Sequence, residues 1–256
     1  MQEPSLEEEF RAFARAPASA IEGALLVGRL VESEPADRWV ADELDRLAAA
    51  VAAPRDASAL VTALAQAGFG GAETYYAQAN SSLAHVLRTR RGIPITLALV
   101  VLGVAERLGL SAHGVNFPRH FLVGVDNRLV DPFAMRVLAP GAIDSAIAAQ
   151  GLERAQALAT AGPIDIVLRM LNNLRLLAEE QGDFARALDV SGYQLLVAPD
   201  PLPVLVSRTD LWLGAGVPAM ARRELEQAIA LAGDEVVRDQ LGQRLATIAA
   251  APSQLH

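Results

Sequence analysis

A proline followed by an almost uninterrupted apolar run is the feature that most constrains how this chain can fold. Pro94 suits the first position of a helix, because a backbone N–H would have no partner there. The residues that follow are apolar on nearly every side of the predicted helix, and Gly109 suits the position just after its end. A helix that is apolar all round belongs in the centre of a domain. We therefore expect Pro94 to begin the central helix of the fold.

Two short strands are predicted after this helix. Apolar residues alternate over residues 121–125, as in a half-buried strand, and Asp126-Asn127 predicts a hairpin turn into a second strand. The first strand carries His120 and the second ends in Asp131. We therefore expect an imidazole and a carboxylate on neighbouring strands, within reach of each other.

A helix start, a strand with a histidine and a strand with an aspartate follow one another in the order of the papain/transglutaminase-like core. In that core a cysteine opens the helix and completes a triad. Three stretches resemble a bacterial family described as transglutaminase-like with tetratricopeptide repeats, often labelled SirB: Gly-Ile-Pro-Ile-Thr-Leu at 92–97, Val-Asn-Phe-Pro at 115–118 with His120, and Val-Asp-Pro-Phe at 130–133. The resemblance is specific across Asn80–Phe133 and looser over the rest of the chain.

The resemblance implies an α+β fold in two parts. The first is a papain/transglutaminase-like helical domain with a small antiparallel sheet, which we expect over residues 1–139. A connector is expected over 140–163. The second part, over 164–256, is expected to be an all-α domain of tetratricopeptide-like (TPR-like) helical repeats.

A repeat in the last third of the chain supports the second part. Gly182 and Gly216 are 34 residues apart, as are Ala187 and Ala221. Thirty-four residues is the tetratricopeptide period, in which a small residue is needed where paired helices cross closely.

The chain contains no cysteine, which limits what the resemblance implies about activity. Counting back from Gly109, the nucleophile position of a transglutaminase falls at Pro94. His120 and Asp131 are then retained without the group that they would activate. Thr96 does not replace the thiol, because it lies about 200° round the helix from Pro94 and is expected to bond to local backbone. We therefore favour a protein without enzymatic activity.

Several residues are candidates for a site at this core. His120 and Asp131 would form either a vestigial pair or a general base pair. At the helix start, formed by Pro94, Ile95 and Thr96, the residues after Pro94 have unpaired N–H groups. This end also carries the positive end of the helix dipole, so it can bind an anion or a carbonyl oxygen. The further candidates are polar or aromatic side chains: Asn116, Asn80 and Tyr76.

Tyr76 lies beside Tyr75 in a loop rich in glycine and small polar residues. A tyrosine offers flat apolar area with a polar tip, which suits a pocket wall. The alternative is that the two rings pin the loop onto the core.

The composition excludes several kinds of partner and site. A net charge of −8 and a pI near 5.1 argue against a nucleic-acid-binding surface. The dense basic cluster at Arg88, Arg90 and Arg91 is interpreted as a solvated helix end. His113 and His120 are seven residues apart and, with Asp131, lack a compact metal-ligand spacing. We expect neither a metal nor a cofactor.

The chain is expected to be a cytoplasmic protein without a membrane segment. Its longest apolar run, Ile93–Ala105, is shorter than the roughly 20 residues that span a bilayer. The acidic residues Glu7–Glu9 do not resemble a secretory signal. The sequence does not indicate an oligomeric state.

Three functions are compatible with these patterns. The first, which we favour, is a catalytically inactive transglutaminase-like/TPR scaffold that binds a protein or peptide partner, with a regulatory role as one form of it. The second is a cysteine-independent hydrolase or transferase that uses His120–Asp131 as a general base, with Asn116 donating to an oxyanion. The third is an assembly role carried by the repeats alone, with the histidine and aspartate as a structural pair.

Overall fold

A computed structural model describes residues 4–32, 35–74, 76–118, 120–139, 141–151 and 153–250 of the chain. The chain divides into two compact units, residues 1–170 and 171–256. Each unit is described in turn.

The first unit combines helices with short strands. Its helices are α1 (Leu6–Arg15), α2 (Ala20–Gly28), α3 (Asp37–Ala49), α4 (Ala57–Gln66), α5 (Leu83–Thr89), α6 (Pro94–Arg107), α7 (Ala142–Ala149) and α8 (Arg154–Ala157), and α9 (Pro163–Glu180) begins in it. A 3-10 turn covers Gln78–Ser81. Its strands are β1 (Gly70–Gly71), β2 (Arg91–Gly92), β3 (Ala112–Val115), β4 (Leu122–Val125), β5 (Arg128–Asp131), β6 (Arg136–Val137) and β7 (Thr160–Ala161).

Helix α6 is the central element of this unit. Pro94 is its first residue, and Gly109 follows its end with φ +71°, so both predicted boundaries are confirmed. The N–H of Gly109 donates to the Glu106 carbonyl and that of Leu110 to the Ala105 carbonyl, which satisfies the open end of the helix. The side chains from Pro94 to Val101 are all buried, as expected for a helix that is apolar all round.

A five-stranded antiparallel sheet lies beside α6, with strand order β6-β5-β4-β3-β7. The predicted hairpin is confirmed, because Val125 pairs with Arg128 across the two-residue turn Asp126-Asn127. Asp131 ends β5 as predicted. His120 does not lie in a strand, since β4 begins at Leu122. The imidazole is therefore carried by the β3–β4 loop.

The prediction of a half-buried strand over residues 121–125 is wrong. All four residues of β4 are buried, so both faces of this strand are covered. Val123 and Val125 alternate with Leu122 and so lie on the opposite face. Leu122 packs in a cluster with Ile143 and Ile147 of α7. Because α7 comes later in the chain, the alternation of residues within the strand does not indicate that a helix covers its second face.

The segment 140–163, which we expected to connect two domains, contains α7, α8 and β7. β7 pairs with β3 through Val115↔Thr160 and Gly114↔Ala161. This segment therefore supplies an edge strand and part of the core of the first unit.

The second unit contains the end of α9 together with α10 (Phe184–Val197), α11 (Leu202–Gly214), α12 (Pro218–Leu231) and α13 (Glu235–Ala250). Gly182 turns the chain from α9 into α10 with φ +73°, and Gly216 turns it from α11 into α12 with φ +74°. Ala187 and Ala221 are fully buried at the same offset of 34 residues. The structure thus contains two helical hairpins in the predicted register, and their tetratricopeptide identity stays a prediction.

A buried ion pair joins three helices of this unit. The guanidinium of Arg208 donates to both carboxylate oxygens of Glu224 at 2.8–3.0 Å and to Ser191 Oγ at 2.7 Å. Trp212 Nε1 donates to the same carboxylate at 2.8 Å. Because the charges are buried, these hydrogen bonds are needed to offset their loss of hydration.

No helix in the ranges described above is both long enough and apolar enough to cross a bilayer.

Two arginines of the basic cluster at the end of α5 form ion pairs with carboxylates from elsewhere in the first unit. Arg88 pairs with Glu32 at 2.7 Å, and Arg90 pairs with Glu43. Glu43 also accepts two hydrogen bonds from Arg46, at 2.7 and 2.8 Å. The hydrogen bonds from Arg46 outweigh the effect of burial and, together with Arg90, lower the pKa of Glu43 to about 2.

Glu43→Gln tests this ion-pair cluster through its pH dependence. The folded pKa of about 2 lies below the ordinary value of 4.5, so the charge stabilises the fold above pH 4.5 and this contribution is lost as pH falls toward 2. We expect wild type to exceed the variant by about 1–2 kcal/mol in free energy of unfolding at pH 7, with the difference shrinking below pH about 4.5. Urea unfolding followed through Trp39, in a Trp212→Phe background, reports on the first unit.

Glu7→Gln is the matched control, since Glu7 forms an exposed pair with Arg11. Its effect should stay within about 0.5 kcal/mol. A Glu43→Gln difference that is the same at pH 7 and pH 3 contradicts the prediction.

Candidate functional site

The imidazole of His120 and the carboxylate of Asp131 lie together, as the sequence predicts. His120 Nε2 is 3.1 Å from Asp131 Oδ1. The side chain of His120 is 32% exposed and that of Asp131 is 13% exposed. Within the described part of the chain, Asp131 is the hydrogen-bond partner of this ring. The contact uses Nε2 of His120, so the Nδ1 edge of the ring points away from the carboxylate.

Asp131 is held in its charged form. Burial by itself raises the pKa of this carboxyl, but the hydrogen bond from His120 and those from the backbone N–H groups of Ala134 and Phe133 outweigh it. The pKa of Asp131 therefore lies below its usual value. Both backbone donors reach Oδ1, at 3.1 and 3.0 Å, and Arg136 Nε lies 3.9 Å from Oδ2. An ionised Asp131 can orient the imidazole through this hydrogen bond.

A short ribbon ties the turn after Asp131 to the start of α6. β1 and β2 pair in parallel, with Gly71 opposite Gly92. The N–H of Gly71 donates to the Phe133 carbonyl at 3.0 Å, and that of Ala72 donates to the Gly92 carbonyl at 3.0 Å. Backbone hydrogen bonds thus connect the residue before Ile93-Pro94 with the turn that holds the Asp131 carboxylate.

The start of α6 is buried and offers no hydroxyl to the imidazole. Pro94, Ile95 and Thr96 are all buried. The Thr96 hydroxyl lies 2.9 Å from the Asn80 carbonyl and 3.1 Å from the Ile93 carbonyl, so it donates to local backbone. Thr96 Oγ1 is therefore engaged inside the core.

Asn80 and Tyr76, two expected binding residues in the loop before α5, have different environments. Asn80 is 5% exposed, and its Nδ2 donates to the Thr74 carbonyl at 2.7 Å. Tyr76 is 67% exposed, so its ring is not a core anchor of the loop. Tyr75 lies outside the described residues. Asn80 thus holds the loop in place, whereas Tyr76 presents aromatic surface to solvent.

Asn116 is exposed on the β3–β4 loop, and its Oδ1 accepts a hydrogen bond from Arg169. The second guanidinium nitrogen of Arg169 donates to the His120 carbonyl at 3.1 Å. Sequence reasoning did not identify Arg169 as a site residue, although it opens the Arg-Met-Leu-Asn-Asn-Leu stretch at 169–174. That stretch also resembles the transglutaminase-like family described above. This resemblance was the signal in the sequence that could have identified Arg169.

Two grooves of the first unit have neither His120 nor Asp131 in their lining, although Arg136, which lies near Asp131, lines the second. One of about 430 Å³ is lined by residues that include Ile21, His113 and Ile166. Another, of about 580 Å³, lies between α4 and β6. In the ranges that the structure describes, no three His, Asp or Glu side chains come together as a metal site.

An α+β domain with a buried central helix, and with histidine and aspartate side chains 3.1 Å apart, defines the class of this protein. The family model of the transglutaminase-like superfamily matches residues 38–172. The chain belongs to the transglutaminase-like superfamily.

Bacterial relatives share most of the chain. A UPF0162 protein of Pseudomonas aeruginosa is 31% identical over 227 residues, which cover 83% of this chain and 84% of that protein. A UPF0162 protein of Xylella fastidiosa is 32% identical over 181 residues, 63% of this chain and 62% of that protein. F-box only protein 21 of Mus musculus is 40% identical over 68 residues, 25% of this chain and 11% of that protein. No solved structure matches the chain.

Gly71→Ala tests the ribbon that supports the Asp131 turn. A methyl group at position 71 would lie 2.3 Å from the Phe133 ring, so the ring and its turn must move. We expect a loss of about 1–3 kcal/mol in free energy of unfolding. In a Phe133→Ala background the methyl group has room, and the same change should cost less than about 0.5 kcal/mol.

Gly192→Ala in α10 is the matched control, because an added Cβ there has no atom within 4 Å. It should leave stability unchanged or raise it slightly. An equal cost of Gly71→Ala in both backgrounds, measured by urea unfolding, rules out the proposed clash.

Proposed function

We propose that this protein is a catalytically inactive transglutaminase-like scaffold that binds a protein or peptide partner. The observation that carries the proposal is the start of α6, where a proline stands at the expected nucleophile position and the nearby Thr96 hydroxyl donates to backbone carbonyls. A histidine–aspartate pair without a nucleophile has no covalent intermediate to form. The chain contains no cysteine that could supply one from elsewhere.

Three of the candidate residues are at least partly exposed and have groups that suit a peptide. Tyr76 and Asn116 are exposed and the imidazole of His120 is partly exposed. Tyrosine supplies rigid aromatic area at a low cost in side-chain entropy, and the polar groups can hydrogen-bond a main chain. We therefore assign His120, Asp131, Asn116 and Tyr76 to the proposed ligand surface of the first unit.

The helical hairpins of the second unit support a partner-binding role independently. Their 34-residue offset is the tetratricopeptide period, and stacked repeats of this kind present a concave face to a peptide or protein. The SirB label and the regulatory role are part of the same proposal. Both rest on the resemblance of residues 80–133 to the SirB-type family.

A second candidate function is a cysteine-independent hydrolase or transferase. It is favoured by the 3.1 Å contact between His120 Nε2 and Asp131 Oδ1, because an oriented imidazole can take a proton from water through Nδ1. In that case Asn116 would donate its side-chain amide to the developing oxyanion.

Hydrolysis assays on the purified chain separate the two functions. We expect no ester hydrolysis of p-nitrophenyl acetate and no ammonia release from a glutamine-containing peptide beyond the rates of His120→Ala and Asp131→Asn, because no nucleophile stands beside the imidazole. His85→Ala is the control, since His85 lies on α5 and is not part of the pair. Activity that survives in His85→Ala and is lost in His120→Ala would establish the hydrolase instead.

A peptide-display selection tests the part of the proposal that concerns peptide binding. Peptides enriched on wild type should bind His120→Ala/Tyr76→Ala at least about tenfold more weakly, which corresponds to about 1.4 kcal/mol. Equal affinity for both proteins contradicts the placement of the ligand surface.

A further inference from the structure

We infer that Arg169 is a positioning residue, which holds the β3–β4 loop so that the His120 imidazole meets Asp131. The inference deepens the proposed function, because it concerns the same site. It starts from the loop itself: residues 116–121 connect Val115 of β3 to Leu122 of β4, and residue 119 lies outside the described ranges.

The loop is anchored in the core by its aromatic residues and leaves His120 between them. Phe117 is 5% exposed and Phe121 is 1% exposed. The N–H of His120 donates to the Phe117 carbonyl at 3.0 Å. The carbonyl of His120 has its donor on another element.

Arg169 supplies that donor through a fork that spans the loop. One guanidinium nitrogen donates to Asn116 Oδ1 and the other to the His120 carbonyl at 3.1 Å. The guanidinium carbon also lies 5.5 Å from the centroid of the Phe121 ring, which favours one orientation of the plane. A planar group with donors on both sides can join two acceptors four residues apart, whereas an ammonium is a single point of contact.

The base of this fork is rigid. Arg169 lies on α9, where Ile166, Val167 and Met170 are all buried. The start of that helix is fixed as well, because the Gly162 N–H donates to Asp165 Oδ2 at 2.8 Å. The guanidinium therefore projects from a well-packed helix onto the loop.

The position of the imidazole follows from the position of its backbone. If the His120 carbonyl is released, rotation of that peptide moves Cβ and with it the ring. A hydrogen bond of 3.1 Å is lost after a displacement of less than about 1 Å. Arg169 thus acts on the His120–Asp131 contact through the loop and touches neither reactive atom.

Exchange of the His120 Nε2 proton with water measures this role directly. In protein labelled with ¹⁵N-histidine, at a pH where the ring is neutral, the proton signal is assigned by its loss in His120→Ala. The bond to Asp131 should protect it in wild type, and Asp131→Asn should remove that protection. In Arg169→Met we expect exchange at least about tenfold faster, and Arg169→Lys should lie between the two because it retains one donor.

Arg175→Met is the matched control, since Arg175 lies on the same helix and bonds to Asn172 and Glu179 instead. Its exchange rate should stay within about twofold of wild type. If Arg169→Met unfolds the chain, as seen in its amide spectrum, Asn116→Ala decides, because it removes an exposed acceptor of the fork and should also speed exchange. Unchanged exchange in Arg169→Met, or in Asn116→Ala when the former unfolds, overturns the inference.

The readout is an imidazole proton and needs neither a ligand nor a substrate. Its failure would leave the missing nucleophile, on which the proposed function rests, unaffected. Conversely, hydrolysis that depends on His120 would overturn the proposed function and leave the positioning role intact.

Discussion

One carboxylate oxygen connects the parts of the site through hydrogen bonds. Asp131 Oδ1 accepts from the N–H groups of Phe133 and Ala134 and lies 3.1 Å from His120 Nε2. The same atom therefore sets the turn after β5 and the direction of the imidazole. Because Phe133 is in turn bonded to Gly71, the turn is connected to the ribbon that leads into α6. The charge of Asp131 is stabilised by these donors against the cost of its burial.

The site combines an oriented imidazole with a helix start that carries no nucleophile. In a triad the histidine is useful because a thiol or hydroxyl gives up its proton to it. Here Pro94 has no side-chain proton to give, and the Thr96 hydroxyl is bonded to backbone in the core. The chain belongs to the transglutaminase-like superfamily, but its function must be argued from the site. The proposed function rests on these two observations at the helix start.

Local signals in the sequence predicted the framework of the first unit. The helix start at Pro94 and the hairpin at Asp126-Asn127 follow from the backbone preferences of a few adjacent residues. Contacts between distant segments could not be predicted in this way. The fork from Arg169 reaches Asn116 across 53 positions of sequence, and the second covered face of β4 comes from α7. Such contacts depend on how the elements pack, which periodicity does not record.

We propose that position 94 is the position of the missing nucleophile, within reach of His120. Since the chain has no cysteine, Pro94→Cys introduces a single thiol whose pKa can be measured from the pH dependence of its alkylation by iodoacetamide. The account predicts a thiol pKa at least about 2 units below the ordinary value of about 8.5, and a return toward that value when His120→Ala is added. A thiol that titrates near 8.5 whether or not His120 is present would contradict it.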